Sequence, residues 1–181
     1  MHKLKLTVLE LTTFGLCSAI IYVAQLGLSF LPNIELISLL FIIYAHAFGW
    51  KTLYIVYTFA VLEGLAWGFD PSWWTMYLYI WDILVGVAIL FKKNDSPVFW
   101  AVVSGFYGLF FGFLGLLPIF VIGLGEGGTI QSGINMALAY WVNGLSFDVR
   151  HCIGNFVAAL VLYKPLTLIM KQVTNKIYQV K

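Results

Sequence analysis

The sequence predicts an all-α integral membrane protein, a single bundle of six transmembrane helices spanning residues 1–181. Composition is the first indication, because 61% of the residues are hydrophobic and only 10% are charged, whereas a soluble domain is about 25% charged. Hydropathy is the second: the mean hydropathy of +0.92 leaves too little polar surface to coat a water-soluble globule. Length is the third, since 181 residues hold about six spans of roughly 20 residues with short loops.

Apolar runs divide the chain into six predicted helices, at residues 6–30, 34–49, 52–68, 74–91, 98–120 and 146–170. Turn or charge signals separate them, namely "LPNIE", "GWK", "FDPSWW", "KKNDSP" and "GLGEGGTIQSGIN". Continuous apolar runs favour helices over barrel strands, which would alternate. The first run follows a basic start but is long and lacks a small-residue cleavage site. We therefore expect a retained helix rather than a signal peptide.

Lysine placement predicts the orientation. With the N-terminus inside, nine of the ten basic residues fall on the cytoplasmic side. These nine are Lys3, Lys5, Lys51, Lys92, Lys93, Lys164, Lys171, Lys176 and Lys181. The tenth, Arg150, lies near the outer end of the last predicted helix. We therefore expect a cell-membrane protein with both termini inside.

The last predicted helix carries an unusual row of polar residues. Asp148, His151 and Asn155 are spaced by three and four, so they share one helical face. A charge at membrane depth costs about 2.5–3.5 kcal/mol on insertion scales, so such a row needs a cavity, a partner or a ligand. We expect a ligand-binding face near the outer surface. The alternative is interfacial anchoring by Asp148 and Arg150, with a helix–helix hydrogen bond from Asn155.

A second constellation is aromatic and lies in "EGLAWGFDPSWWTMYLYIWD", residues 63–82. Part of it fits the aromatic belt of a membrane interface. However, Glu63 and Trp67 are four apart, and Trp74, Tyr77 and Trp81 are spaced by three and four, so each set forms a stripe into the bundle. Flat aromatic walls with a few carboxylates suit a planar heterocycle that carries hydroxyl or amino groups.

The outer loops supply the remaining candidates. Asn33 and Glu35 lie in the first outer loop and are predicted to contribute to the same binding site. The longest loop, "GLGEGGTIQSGIN", is expected to be either a mobile lid or a plain connection. Its glycine pattern does not follow a strand, so a dinucleotide site is not predicted.

Small residues mark two helix-packing faces. The fifth predicted helix carries four glycines spaced by three, four and three, which would let another helix approach closely. They are Gly105, Gly108, Gly112 and Gly115. In the first helix, Gly15 and Ala19 form a small-xxx-small pair, which either packs within the bundle or provides an external docking face.

Several chemistries have no signature in the sequence. There is no Walker-type ATP loop, no HExxH motif and no evident pair of nucleophile and base. His46 and His151 are predicted near opposite membrane surfaces, so they would not share a metal. Basic residues are spread along the inner border rather than clustered, which argues against nucleic acid. We expect no enzymatic activity and no cofactor or metal bound by this chain.

Two stretches carry a resemblance, "LPNIELISLLFIIYAHAFG" and, more specifically, "GLSFDVRHCIGNFVAALVLYKPL". Over nearly its whole length the chain resembles the substrate-binding S components of energy-coupling factor (ECF) vitamin transporters. The second stretch is similar to the Asp–x–x–His–x–x–x–Asn last helix, followed by Lys-Pro-Leu, of several such components. Asp148, His151 and Asn155 occupy the three motif positions.

This resemblance implies a mechanism. The chain would bind a vitamin from outside through the outer halves of its last three helices and their loops. It would then dock through Gly15 and Ala19 onto a membrane coupling subunit driven by two ATP-binding cassette ATPase subunits, which bind the ATP. Toppling in the lipid bilayer would release the vitamin inside.

The substrate remains open between two choices. The many aromatic residues between Trp67 and Trp81 favour a substrate with a flat ring, such as hydroxymethylpyrimidine or a vitamin B6 form such as pyridoxine. Pantothenate is the alternative. Its carboxylate would require a positively charged partner, and Arg150 is the only basic residue predicted near the outer face. Two other function classes stay open: an intramembrane enzyme, in which Asp148 and His151 converge with another carboxylate, and an assembly subunit that binds no ligand.

Overall fold

The protein is helical throughout in the computed structural model, which describes residues 6–31 and 34–179. Helices account for 85% of the structure, and the described residues form no strand, which confirms the all-α prediction. The helices in this part of the chain are α1 (Val8–Leu28), α2 (Ile37–Phe48), α3 (Thr52–Trp67), α4 (Trp74–Tyr77), α5 (Ile80–Leu90), α6 (Pro97–Leu109), α7 (Phe111–Leu114), α8 (Leu116–Gly127) and α9 (Ile130–Gln179).

Three helical segments are long and apolar enough to cross a membrane: Val8–Leu28, Ile37–Trp67 and Ile130–Tyr178. The second contains α2 and α3, joined by a 3₁₀ turn at Gly49–Lys51. Gly49 ends α2 with a φ of 58°, a left-handed value that glycine adopts without steric penalty. Three shorter apolar segments follow, at Trp74–Leu90, Pro97–Leu109 and Leu116–Gly127. These lengths and compositions are those of a helical membrane protein.

The fold is centred on α2. Ten of its twelve residues are buried, and it contacts α1, α3, α5 and α9. A helix that is apolar on all sides belongs inside a bundle, which is where α2 lies. α1 packs against α3, while α6 and α8 pack along α9.

The second half of the chain departs from the predicted boundaries. The predicted helix at residues 98–120 is divided into α6, α7 and the start of α8. The predicted outer loop before residue 146 is helical instead, and the last helix begins at Ile130. The expectation of a mobile lid in this segment is therefore wrong, because the chain there folds into α8 and the first turns of α9, joined by a short turn at residues 128–129.

Glycines in this segment serve close packing rather than loop flexibility. A Cβ atom on Gly123 would lie 2.8 Å from the Cβ atom of Met136, and one on Gly133 would lie 2.8 Å from the carbonyl oxygen of Phe120. α8 and α9 therefore approach as small-residue faces do in membrane bundles. Only Gly128, which caps α8 with a φ of 66°, has the left-handed backbone expected of a turn.

α9 is the longest element. Its 50 residues span about 75 Å at 1.5 Å per residue, more than twice the hydrocarbon thickness of about 30 Å. Pro165 lies inside it and removes one backbone hydrogen bond. Part of α9 must therefore lie outside the hydrocarbon layer.

A buried acid joins three elements at the lysine-bearing end of the bundle. Glu10 is 2% exposed and forms a capping box with Thr7 at the start of α1. Its Oε1 atom lies 2.5 Å from Lys51 Nζ, in the turn between α2 and α3. The Tyr178 hydroxyl, near the end of α9, donates to the same oxygen at 3.2 Å.

We expect Lys51→Met to lower the free energy of unfolding by about 3 kcal/mol, because it leaves the Glu10 carboxylate buried without its cation. The matched control is Lys164→Met. Lys164 pairs with Asp95 at 2.7 Å, but both side chains are about half exposed, so its loss should cost less than about 1 kcal/mol. Reversible unfolding in detergent measures both, and equal small losses would contradict the assignment of Glu10 as a structural junction.

Candidate functional site

The polar row of α9 packs against the glycine row of α6 and the α7 segment. Asp148, His151 and Asn155 are 4%, 3% and 1% exposed, so they face the bundle interior and not lipid. A Cβ atom on Gly108 would lie 2.8 Å from the His151 carbonyl oxygen, and one on Gly112 would lie 2.6 Å from Asp148 Oδ2. The spacing of the glycines therefore makes room for the polar row. The sequence analysis identified both rows but did not predict that they pack against each other.

The hydrogen bonds of this row are incomplete. The Gly112 backbone N–H donates to Asp148 Oδ1 at 3.0 Å, and Asn155 Nδ2 donates to Ser38 Oγ at 3.1 Å and to the Ser104 carbonyl oxygen at 3.4 Å. Three buried atoms have no hydrogen-bond partner among the described residues: Asp148 Oδ2, His151 Nε2 and Asn155 Oδ1. Leaving a buried polar atom unpaired costs about 1–3 kcal/mol, so the row retains unused capacity to bind.

A cavity of about 440 Å³ adjoins Asp148. Its lining comprises Phe111, Gly112, Tyr140, Trp141, Asn143, Gly144, Phe147 and Asp148. Ligand pockets commonly fall between about 300 and 1,000 Å³ and combine aromatic walls with a few polar groups. Trp141 also contributes a buried Nε1 atom that has no acceptor within the described chain. The cavity therefore offers flat walls, a carboxylate and an indole N–H donor.

A second, smaller cavity of about 230 Å³ lies between the end of α1 and the start of α2. Its polar lining comes from Gln25, Ser29 and Glu35, and Trp67 forms one wall. Gln25 Nε2 donates to Glu63 Oε2 at 3.3 Å, and Glu63 is 2% exposed. Sequence reasoning missed Gln25, although an isolated amide in an otherwise apolar helix was a signal.

A path of touching rings leads from the aromatic stripe to the polar row. Tyr77 and Trp81 have ring centroids 5.5 Å apart, and Trp81 lies 5.5 Å from Phe111. Phe111 in turn lies 4.8 Å from the His151 ring. Trp81 is fully buried, and its Nε1 atom has no partner in the described part of the chain. Tyr77 and Trp81 are therefore packed in the core and line neither of the two cavities.

Trp74 has a different role. Its Nε1 atom donates to the Ala60 carbonyl oxygen at 2.7 Å, and its ring meets Phe69 at 5.0 Å. It ties α4 to α3 and lines neither of the two cavities.

Apart from Trp74, the predicted site residues fall into three groups. Glu35 and Trp67 line the smaller cavity, with Glu63 behind Gln25, and Asp148 lines the larger one. His151, Asn155, Tyr77 and Trp81 are packed in the interior. Asn33 lies outside the described residues.

Arg150 lines neither cavity, although its guanidinium lies over Phe147, which lines the larger one. Its Nε atom donates to the Ser146 carbonyl oxygen at 3.1 Å, and its guanidinium lies 4.5 Å from the centre of the Phe147 ring. Among the described residues that line the two cavities, none is basic.

Gly15 and Ala19 lie on the exposed face of α1, beside the face that buries Phe14 and Ser18. No atom lies within 4 Å of a Cβ atom built on Gly15. Of the two expectations for this pair, packing within its own bundle is therefore wrong, and the face is free for a partner or lipid.

No group of three metal-ligating side chains occurs within residues 6–31 and 34–179. His46 instead contacts Tyr163, with 3.3 Å between His46 Nδ1 and the phenol oxygen. The His151 ring lies 4.8 Å from the Phe111 ring, between centroids.

Glu35, which lies between α1 and α2, makes the stability of the fold dependent on pH. Burial, and then the nearby Glu63 carboxylate, raise the pKa of Glu35 from 4.5 to about 7. Because the folded pKa is raised, the contribution of Glu35 to stability is fully present below pH 4.5 and is lost as the pH rises through 7. We expect Glu35→Gln to flatten the unfolding free energy between these values relative to the unmodified chain. The control is Asp70→Asn, at an exposed acid in the connection between α3 and α4. A pH slope unchanged by Glu35→Gln would contradict the assignment of this pH dependence to Glu35.

Comparison of the chain with protein-family models, with curated proteins and with solved structures gives no significant match.

Proposed function

We propose that this chain is the substrate-binding S component of an ECF-type vitamin importer in the cell membrane. In this proposal it forms six spans with both termini inside and captures a small ring-containing vitamin or precursor at its outer end. It then docks on a coupling subunit, which two ATP-binding cassette ATPase subunits drive. The chain itself performs no catalysis.

One observation carries the proposal: a buried polar row with unused hydrogen-bonding atoms adjoins a cavity of small-molecule size. Asp148 uses one carboxylate oxygen to hold Gly112, and its other oxygen has no partner among the described residues. The same residue lines the cavity of about 440 Å³. A purely structural row would be expected to satisfy its own buried groups, because most buried polar atoms in folded proteins are paired.

The surroundings support a flat guest. Tyr140, Trp141 and Phe111 line the larger cavity, and Trp67 lines the smaller one. Aromatic faces contact planar rings by stacking or edge contacts and contribute about 0.5–1.5 kcal/mol per pair beyond area burial. Hydroxymethylpyrimidine and pyridoxine have such rings. Pantothenate, the alternative, is less favoured because no described residue that lines the two cavities is basic.

The exposed α1 face supports the docking part of the proposal. Gly15 and Ala19 leave a shallow surface on which a partner helix can approach closely. Much of the rest of α1 also faces outward, including Leu11, Leu16 and Val23, which are each more than half exposed. A membrane partner or lipid must cover these side chains.

The test is direct binding to the purified full chain in detergent, by calorimetry with hydroxymethylpyrimidine, pyridoxine and pantothenate in turn. We expect one ring compound to bind, and Asp148→Asn to weaken it about tenfold or more, since hydrogen bonds to charged groups contribute about 1.5–3 kcal/mol. Asp82→Asn is the matched control. Asp82 also leaves one buried carboxylate oxygen without a partner among the described residues, but it accepts from Tyr57 at 2.5 Å and lines neither cavity.

Two other outcomes would replace the proposal. The bonds from Asn155 to Ser38 and Ser104 link α9 to α2 and α6, and this observation supports an assembly subunit without a ligand. That function predicts no binding by the unmodified chain and a loss of stability alone in Asp148→Asn. Turnover of any tested compound by the isolated chain would instead indicate an intramembrane enzyme.

A further inference from the structure

The unpartnered polar atoms near the smaller cavity are hydrogen-bond acceptors. Gln25 places its amide nitrogen on Glu63 and leaves Oε1 without a donor within the described chain. Glu63 is 2% exposed, and its Oε1 atom also has no hydrogen-bond donor among the described residues. Buried acceptors that lack donors are matched by a guest that brings donors.

Two acidic side chains share this end of the bundle. Glu35 and Gln25 line the cavity together, and Gln25 Nε2 donates at 3.3 Å to Glu63, which lies behind it. Tyr77, in α4, interacts electrostatically with both Glu35 and Glu63. Its phenol is neutral and therefore supplies no positive charge to balance the two carboxylates. Like charges at short range disfavour each other, and a cation between them relieves that repulsion.

An aromatic face completes the arrangement. Trp67 lines the same cavity and is 62% exposed, so its indole is accessible from outside. Tryptophan is the best aromatic partner for a cation, and aromatic faces next to carboxylates recognise ammonium groups. No lysine or arginine lines the cavity among the described residues, so none of these residues supplies that cation.

We infer that the guest carries a positive charge, as a ring-bearing ammonium compound does, and that Glu35, Glu63 and Trp67 hold its charged end. This inference rests on the proposed function and narrows it to cationic ring compounds. Gln25 acts as a positioning residue, because it fixes Glu63 Oε2 and leaves Oε1 to the guest.

The experiment uses a matched pair of probes, pyridoxamine and pyridoxine. They differ only in an aminomethyl group, charged at neutral pH, in place of a hydroxymethyl group. Calorimetry on the purified full chain should show pyridoxamine binding about tenfold or more tighter, as expected for a charge-assisted contact. Glu63→Gln should reduce this preference to within about twofold, because it keeps the size of the side chain and removes the charge. Glu35→Gln should reduce it partly, and Asp70→Asn, an exposed acid nearby in sequence, should leave it unchanged.

The outcomes separate this inference from the proposed function. Equal binding of both probes, or tighter binding of pyridoxine or pantothenate, overturns the cationic guest while leaving a vitamin-binding subunit in place. A preference that survives in Glu63→Gln with unaltered folding overturns the role of the carboxyl pair. Absence of binding by all the probes overturns the inference and the proposed function together.

Discussion

Gly108→Ala is expected to lower the free energy of unfolding by about 2–3 kcal/mol, the upper range for overpacking a core. The added Cβ atom would lie 2.8 Å from both the carbonyl carbon and the carbonyl oxygen of His151, and 3.0 Å from Asn155 Nδ2. Backbone atoms of a long helix cannot move aside as a flexible side chain can. α6 must therefore separate from α9, and the contact that buries the polar row opens.

The control for Gly108→Ala is Gly27→Ala, at an α1 position where no atom lies within 4 Å of the added carbon. There the substitution should stabilise by about 0.5–1 kcal/mol, because alanine loses less conformational entropy than glycine in a helix. Unfolding of both variants in the same detergent gives the comparison. Equal effects of the two substitutions would show that α6 and α9 are not in the close contact described.

Gly15→Leu and Ala19→Leu are each expected to reduce uptake of the ligand tenfold or more. The isolated chain should still bind that ligand as before. A Cβ atom at position 15 has no atom of its own bundle within 4 Å, so we expect the leucine to leave folding and the two cavities undisturbed. A partner helix that approaches closely over two small residues would instead meet two isobutyl groups, and overpacking of that kind costs about 1–3 kcal/mol per site. Uptake in cells and calorimetry on purified chain measure the two properties separately.

Ala139→Leu provides the comparison for the docking variants, since Ala139 is an exposed small residue on α9 and not on the α1 face. It should leave both uptake and binding intact. Loss of guest binding in Gly15→Leu would contradict the separation of docking from capture. Normal uptake in both α1 variants would show that the partner contacts another face.

The helical class and the early elements were predictable because their signals are local and strong. α1 begins at a Thr7–Glu10 capping box, and α2 and α3 are separated by a glycine with a left-handed backbone. The polar row of α9 was predictable as one face because residues three and four apart align on any helix. Its burial, however, depends on the glycines of α6, which lie about 40 residues earlier in the chain.

The glycine-rich segment before α9 shows why the second half was harder to predict. Several glycines in a short stretch usually indicate a loop, yet here Gly123 and Gly133 lie at the closest approach of α8 and α9. Local sequence does not distinguish a glycine required for backbone freedom from one required for the absence of a side chain. The distinction depends on Met136 and Phe120, the residues that pack over them.

The candidate site also has features that single helices do not predict. Gln25 meets Glu63 from a different helix, and Tyr140 reaches the cavity of Asp148 from a segment expected to be a loop. Trp74, placed on a pocket stripe by its spacing, is instead committed to the Ala60 carbonyl oxygen. Spacing along one helix identifies residues that share a face, whereas the partner of that face is set by tertiary packing.

Native mass spectrometry of the freshly purified full chain tests the central claim most directly, because it detects a guest without any choice of probe. We expect one small ring-containing molecule bound to each chain, and its loss in Asp148→Asn while Asp82→Asn retains it. A chain that emerges with no small molecule, and that takes up none of the ring compounds when they are added, would contradict the claim that the outer end of this bundle is a binding site.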